Sequence, residues 1–372
     1  MSEFHVAVFT VGKVGKHPKA DTLSITQGPG GYPVCFKTGD FETGDIAVHV
    51  PVDAIVDTAR PTFSWLADKA SLAGDGRFLF RVKAIKLRGI PSYGFLVPLG
   101  ELPDDRSYAP GDDVRGALGV TKYETGPCYG QDGIVQGDMV SLPQEGMVPL
   151  YDIEGMRRYG HVIAPGELVS VTEKVHGSNG RWAFVGGVFM CGSRTRFRTN
   201  SVWNRLADEY NLEFILSLQE NQGLVLYGEV YGKGIQDLTY GLDEPQAIFF
   251  DLYDSRSGRW VSTDEFRAFA DSYGLPMVPE LYRGPYDATS IAAMAEGPST
   301  LAGADHVREG VVVKPLVERW DQEVGRVFLK QPGEGYLLRK GPSPEEEAQI
   351  REHATFVPVK TTWQKVKAWL GV

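Results

Sequence analysis

The string Thr172-Glu173-Lys174-Val175-His176-Gly177-Ser178-Asn179-Gly180 concentrates reactive and phosphate-binding groups. A lysine closing a β-rich run, with a glycine-containing turn after it, can set an amine beside a bound phosphate. Gly177 and Gly180 let the backbone approach closely. Alone, a Lys-x-x-Gly pattern is weak, and an exposed lysine before a turn is the plainer reading. It gains weight from five further strings downstream, in a fixed order. Ser193-Arg194 ends the next strand-like run, and Leu226-Tyr227-Gly228-Glu229 ends another in a carboxylate. Ala247-Ile248-Phe249-Phe250-Asp251 brings aromatic side chains to a strand end. Glu309-Gly310-Val311-Val312-Val313-Lys314 and Arg326-Val327-Phe328-Leu329-Lys330 close the series.

This ordered set resembles motifs I, Ia, III, IIIa, IV and V of the covalent nucleotidyltransferases, the superfamily of RNA ligases, DNA ligases and mRNA capping enzymes. Within the first motif, Glu173-Lys174-Val175-His176-Gly177-Ser178-Asn179 is similar to the pattern of the RNA ligase 2-like group. The strings HPKADTLSI, GDIAVHVPVDAI, RVKAIKLRGIPSYGFLVPL and GVTKYE resemble the N-terminal OB module and connector of the Deinococcus- and Naegleria-type RNA ligases. Only 42 residues follow Lys330, too few for the further OB barrel that DNA ligases and capping enzymes usually carry there.

The resemblance implies an ATP-dependent RNA ligase acting through covalent catalysis. Lys174 would attack the α-phosphorus of ATP, AMP would pass to an RNA 5′-phosphate, and a 3′-hydroxyl would displace it. An unperturbed lysine is protonated at pH 7, so nearby positive charge is expected to lower its pKa. Lys330, Lys314 and a bound Mg²⁺ or Mn²⁺ are the candidates. Glu229 and Glu309 are implied as carboxylates that hold this cation, mainly through water. Phe250, with Phe249 as the lesser candidate, would stack on adenine; for both, a place in the core is the alternative. Arg194 would bind a phosphate or the ribose, or be an ordinary surface arginine. Asn179 would orient phosphates, and Gly177 would let the nucleotide approach. Glu173 would help read adenine, and His176 either touches substrate phosphate or only shapes its turn. Relatives often carry two lysines in the last motif, and here Phe328 takes the first position. Lys314 or Arg326 compensates, or Lys330 alone matters.

Charge bears on the partner. With 38 basic and 48 acidic residues the chain has a net charge of −10, unlike a general nucleic-acid binder. Yet six basic residues and no acid lie between Lys174 and Arg205. Arg194, Arg196 and Arg198 in this stretch, with His176 and Asn179, are candidates to face RNA. A basic stretch balanced by acids elsewhere in the fold is the alternative. Two other functions stay open: a DNA-sealing or GTP-dependent capping relative, and a noncatalytic OB-containing RNA-binding protein. There is no P-loop, no GxGxxG, no HExxH and no GxSxG.

Length and pattern predict the framework around these residues. A chain of 372 residues predicts two or three domains, and 42% hydrophobic with 23% charged residues is ordinary for a globular fold. Cys35, Cys128 and Cys191 are odd in number and far apart, which fits a reducing compartment. No apolar run is long enough for a membrane span, and the N-terminus shows no secretory pattern. A cytoplasmic monomer is expected. Residues 1–118 read as short strands of an OB-like barrel and 119–160 as a Gly- and Pro-rich connector. Residues 161–342 read as an α+β nucleotidyltransferase domain, its strands interleaved with helices near Ser201–Gln219, Thr263–Tyr273 and Asp287–Glu296. Residues 343–372 read as a helical tail with Trp363, Val366 and Trp369 on one face.

Overall fold

The computed structural model describes residues 4–72, 76–103, 106–123, 138–140 and 147–339. Much of the expected connector and the tail after residue 339 lie outside them. The described residues fall into two compact units, one before and one after residue 126.

The first unit is built from short antiparallel strands rich in β-branched residues. β1 (Ala7–Thr10), β4 (Ile46–Val50) and β7 (Phe95–Pro98) form one sheet, with β4 central. β2 (Leu23–Gln27) pairs with β3 (Pro33–Lys37), and β5 (Ala54–Asp57) with β6 (Phe78–Arg81). The run from Asp45 to Val56 is broken into β4 and β5 at Asp53, whose φ of 67° turns the chain. Val8, Val48, Val50, Val56 and Val97 meet Phe63 and Leu66 of a 3₁₀ segment, Pro61–Lys69, in the core. The alternation of apolar and polar residues along each strand fills this interior.

Among the described residues the second unit holds two large sheets and a two-stranded ribbon, Trp320–Asp321 with Gly325–Arg326. Its first long strand, β8 (Leu168–Lys174), leads to the β-hairpin β9 (Ser178–Val185) and β10 (Val188–Ser193), turned by Gly186 and Gly187, both with positive φ. α1 (Val202–Glu209), α2 (Leu212–Ser217), β11 (Leu224–Tyr231), β12 (Gln246–Asp254) and α3 (Thr263–Ser272) come next. Then come β13 (Glu280–Pro285), α4 (Ala288–Met294), β14 (Gly310–Pro315), β15 (Leu329–Pro332) and the short α5 (Glu334–Leu337). One sheet runs Asp138–Val140, Phe197–Thr199, β10, β9, β11, β12, Arg259–Trp260; the other runs Glu154–Gly155, β15, β14, β8, β13. All pairs are antiparallel except Glu154–Gly155 with β15. The architecture is α+β, as the strand and helix pattern implies.

Local signals explain the helices. Ser262 caps α3 through the Glu265 amide, while the Glu265 carboxylate accepts from the Ser262 amide. Asp287 caps α4. The single helix expected over 201–219 is two, because Asn211 adopts a left-handed conformation with φ 58°. Among the described residues, no helix is long and apolar enough to cross a membrane.

Alternation along the strands creates the site-bearing faces. In the second sheet Val169, Val171, Val311, Val313 and Leu329 pack against Tyr286 and Ile291. Ser170, Thr172, Lys174, Val312, Lys314 and Lys330 therefore share the opposite face. In the first sheet Trp182, Leu226 and Phe249 pack beneath α1, α2 and α3. Asn179 and Glu229, directly paired across β9 and β11, share the other face. Lys314 Nζ bridges the sheets, 2.6 Å from Asp251.

Candidate active site

Lys174 ends β8 opposite Gly310, which sets it beside Glu309 at the start of β14. Its Nζ lies 2.6 Å from Glu309 Oε1, with the two side chains 24% and 13% exposed. The turn after Lys174 is tight because β11 lies directly beneath it. A Cβ on Gly177 would sit 2.2 Å from the Val230 carbonyl oxygen and 2.9 Å from Glu229 Cγ. Glycine is needed there for close approach. This packing brings Glu229 in beside Lys174.

The electrostatics differ from the sequence expectation. A lowered pKa is expected for Lys174, and the structure reverses the direction. Burial alone would lower it, but Glu309 and Glu229 outweigh burial and hold the ammonium above its ordinary value. Lys330, whose own pKa is lowered by burial and by Lys174, does not reverse that direction. Lys314 is spent elsewhere: it donates to Asp251 and to the Phe250 carbonyl. Burial raises Glu229 to about 8, with Glu309 adding to the rise against the opposing pull of Lys174. Glu309 goes the other way, to about 2, because Lys174 and His176 overcome its burial.

A divalent cation fits this donor set. Glu229 is a half-buried carboxylate whose pKa burial raises despite Lys174 and His176, and Asn179 Oδ1 is buried with no hydrogen-bond partner in the protein. Among the described residues no three metal-binding side chains cluster, so the set suits an ion that keeps most of its waters.

His176 is fixed on every side. Its Nε2 lies 2.7 Å from Asp237 Oδ1, its Nδ1 lies 2.8 Å from the Tyr336 hydroxyl and 3.5 Å from Glu309 Oε2, and its amide donates to the Tyr240 hydroxyl. Burial would lower its pKa, but Asp237 and Glu309 raise it. Asp237, Tyr240 and Tyr336 lie outside every motif in the sequence.

The other candidates separate. A register shift between Tyr227 and Gly228 inserts one extra residue in β12, so both Phe250 and Asp251 reach the side of Lys314. Phe250 and Lys314 line a small cleft with Thr172, Phe266, Arg267 and Val278. Phe249 points the other way, fully buried against Trp182 and Tyr210. Its expected stacking on adenine is corrected, since β-alternation commits it to the core. Glu173 is also corrected: its carboxylate accepts from Ser299 Oγ and from the amide and hydroxyl of Thr300, which leaves it bound within the protein. Arg326 cannot replace the missing lysine, because it pairs with Asp251 and Glu318 and stacks 4.1 Å from the Trp260 ring. Phe328 joins Tyr151 in that aromatic cluster. Arg194 is exposed and paired with Asp152, whose charge also bears on Lys330. Arg196 is exposed, and Arg198 lies 5.9 Å over the Trp203 ring.

Comparison with known proteins bears on the fold and the family. Residues 167–331 match the RNA ligase family model, and residues 6–99 match an OB-fold domain model. No curated protein matches the chain. Solved structures of RNA ligase from Naegleria gruberi share the fold. A lysine-to-alanine mutant with ATP and Mn has a TM-score of 0.76 at 24% identity, covering 89% of this chain and 97% of the other. The same ligase with PPi gives 0.76 at 24%, covering 90% and 98%. A glutamate-to-alanine mutant with AMP and Mn gives 0.75 at 23%, again covering 90% and 98%. The second unit of this chain thus matches the RNA ligase model over residues 167–331, and the first matches an OB-fold model over residues 6–99, in a fold shared with the Naegleria ligase structures.

Proposed function

We propose that the protein is an ATP-dependent RNA ligase that joins a 3′-hydroxyl to a 5′-phosphate, in the manner of RNA repair. The observation that carries the reading is the partly buried Lys174–Glu309 pair beside Glu229, on a strand whose Thr172 lines a cleft with Phe250 and Lys314. Lys174 Nζ, once deprotonated, attacks the α-phosphorus of ATP. A P–N bond forms, the bond to the bridging oxygen breaks, and pyrophosphate leaves. The RNA 5′-phosphate then takes AMP from Lys174, and the 3′-hydroxyl displaces AMP to close the phosphodiester.

Each residue has a part in this sequence. Phe250 stacks on the adenine in the cleft, and Lys330 stabilises charge on the phosphate in flight. Asn179 Oδ1 accepts a hydrogen bond from the nucleotide or its water shell. Arg194, Arg196 and Arg198 meet the RNA backbone. Glu229 and Glu309 would hold Mg²⁺ or Mn²⁺ through water, and such an ion neutralises the two carboxylates and offsets negative charge on the phosphates. With both carboxylates so engaged, Lys174 would lose the interactions that keep it protonated.

The test is incubation with α-³²P-labelled ATP and Mg²⁺ or Mn²⁺, then denaturing electrophoresis. The wild type retains label, and Lys174→Ala retains none. Sealing of a 5′-³²P-labelled nick with a 3′-ribose terminus, compared with a 3′-deoxyribose one, separates RNA from DNA ligation. No label from ATP, GTP or NAD⁺, on protein first freed of bound AMP, would sink the catalytic reading.

A further inference from the structure

We propose that Asp237, Tyr336 and Arg339 are positioning residues: a strap that locks His176, and through it Glu309, against Lys174. The inference rests on the ligase reading above and adds three residues that lie outside the motifs.

The strap begins where β15 leaves the sheet. The Gly333 amide donates to the Glu309 carbonyl at 2.9 Å, so the chain turns directly beside Glu309. The amides of Glu334 and Gly335 donate to the Glu296 carboxylate, which pins the start of α5. One turn on, the Tyr336 hydroxyl reaches His176 Nδ1 at 2.8 Å. Arg339 stacks 3.9 Å from the Tyr336 ring and forks onto Asp237 at 2.8 and 3.0 Å. Asp237 in turn holds His176 Nε2 at 2.7 Å. Both ring nitrogens of His176 are thus engaged by groups that are themselves held, and the unbroken path runs Arg339, Asp237, His176, Glu309, Lys174.

Such an arrangement has a use. On the ligase reading the Glu309 carboxylate would release Lys174, and would help hold a cation, without leaving the site. A glutamate free to change rotamer would blur that exchange, and misplacement of a reacting group by about 1 Å can cost 100-fold in rate. The imidazole, clamped from its far side, restricts where Glu309 can go. Asp237 and Tyr336 make their hydrogen bonds to His176, so they position Glu309 through it.

The experiment uses the full chain. Tyr336→Phe and Asp237→Asn are each compared with wild type, alone and in a His176→Ala background. Three quantities are measured: the single-turnover rate of protein adenylylation, the ATP KM, and the thermal midpoint. Each single substitution is expected to slow adenylylation by about 10- to 100-fold with KM within about twofold, the range seen when partners of a site ligand are removed. In the His176→Ala background the same substitutions should add less than about twofold. Asp237→Glu should recover part of the Asp237→Asn loss. Additive losses in that background would overturn the strap, as would unchanged rates or a change in KM alone. Tyr336→Phe removes a single oxygen and keeps the test valid if Asp237→Asn fails to fold. A wild type that forms no adduct would defeat the ligase reading itself. A normal wild type with normal variants would defeat the strap alone.

Discussion

Ionising Glu229 works against the ligand-free fold, and the direction can be worked out. Its pKa is raised from an ordinary 4.5 to about 8 by burial and by Glu309. The stability from its neutral form is therefore full below about pH 4.5 and lost as pH rises through 8. Glu309 and Asp251 behave oppositely. Both are held near 2, because Lys174 with His176, and Arg326 with Lys314, overcome the burial that would raise them. Their contribution is present above about pH 4 and disappears as pH falls through 2. Glu229→Gln should thus stabilise the ligand-free protein at pH 8 by about 1–3 kcal/mol and change little at pH 4.5. Mn²⁺ should stabilise the wild type and not this variant. Urea unfolding at both pH values, with and without Mn²⁺, reads both effects. An unchanged midpoint at pH 8 would mean that Glu229 is already relieved by something other than a cation.

The joint between β8 and β9 carries more of the site than either strand. Gly177→Ala would drive a methyl group into the Val230 carbonyl, so the turn or β11 must move. We expect a loss of about 1–3 kcal/mol in stability and at least 10-fold in adenylylation, since overpacking here displaces Lys174 from Glu229. Stability retained together with full adenylylation would show that the turn has slack. Asp251→Ala should be worse for the fold, about 3–5 kcal/mol, because it strands Lys314 as a buried cation and leaves Arg326 with Glu318 alone. These elements also show how much a sequence can reveal. Lys174, Glu229 and Glu309 are legible because each sits in a short ordered string at or near the end of a strand. The bulge at Phe250 is not, so alternation alone could not decide which phenylalanine faces the cleft. Lys314 looks like a phosphate ligand until Asp251, 63 residues away, is placed beside it. The hold on His176 comes from Asp237 and Tyr336, 61 and 160 residues distant, and no local spacing encodes such contacts.

Taken as one particle, an acidic protein has to meet an acidic polymer. The net charge of −10 disfavours a broad basic face, and pairing thins the basic stretch further. Arg194 is tied to Asp152, and Arg205 to Glu209 and Glu244. Composition thus foretells weak general binding and cannot foretell which arginines the carboxylates take. If two or three phosphates are neutralised, log K should fall against log salt with a slope of about −1.5 to −3. Raising salt from 50 to 200 mM would then weaken RNA binding by about 10- to 50-fold, against about 10³–10⁵ for a binder with six to ten phosphate contacts. Fluorescence titration of Lys174→Ala with nicked RNA, which binds without turnover, gives the slope directly, and Arg196→Ala should make it shallower by about 1. A slope steeper than about −5 would require a basic surface that these residues do not supply. With so shallow an electrostatic grip, affinity must come from the strand end held in the site. Nicked RNA with a 5′-hydroxyl should therefore bind distinctly more weakly than the 5′-phosphate form, and equal affinities would place recognition outside the cleft.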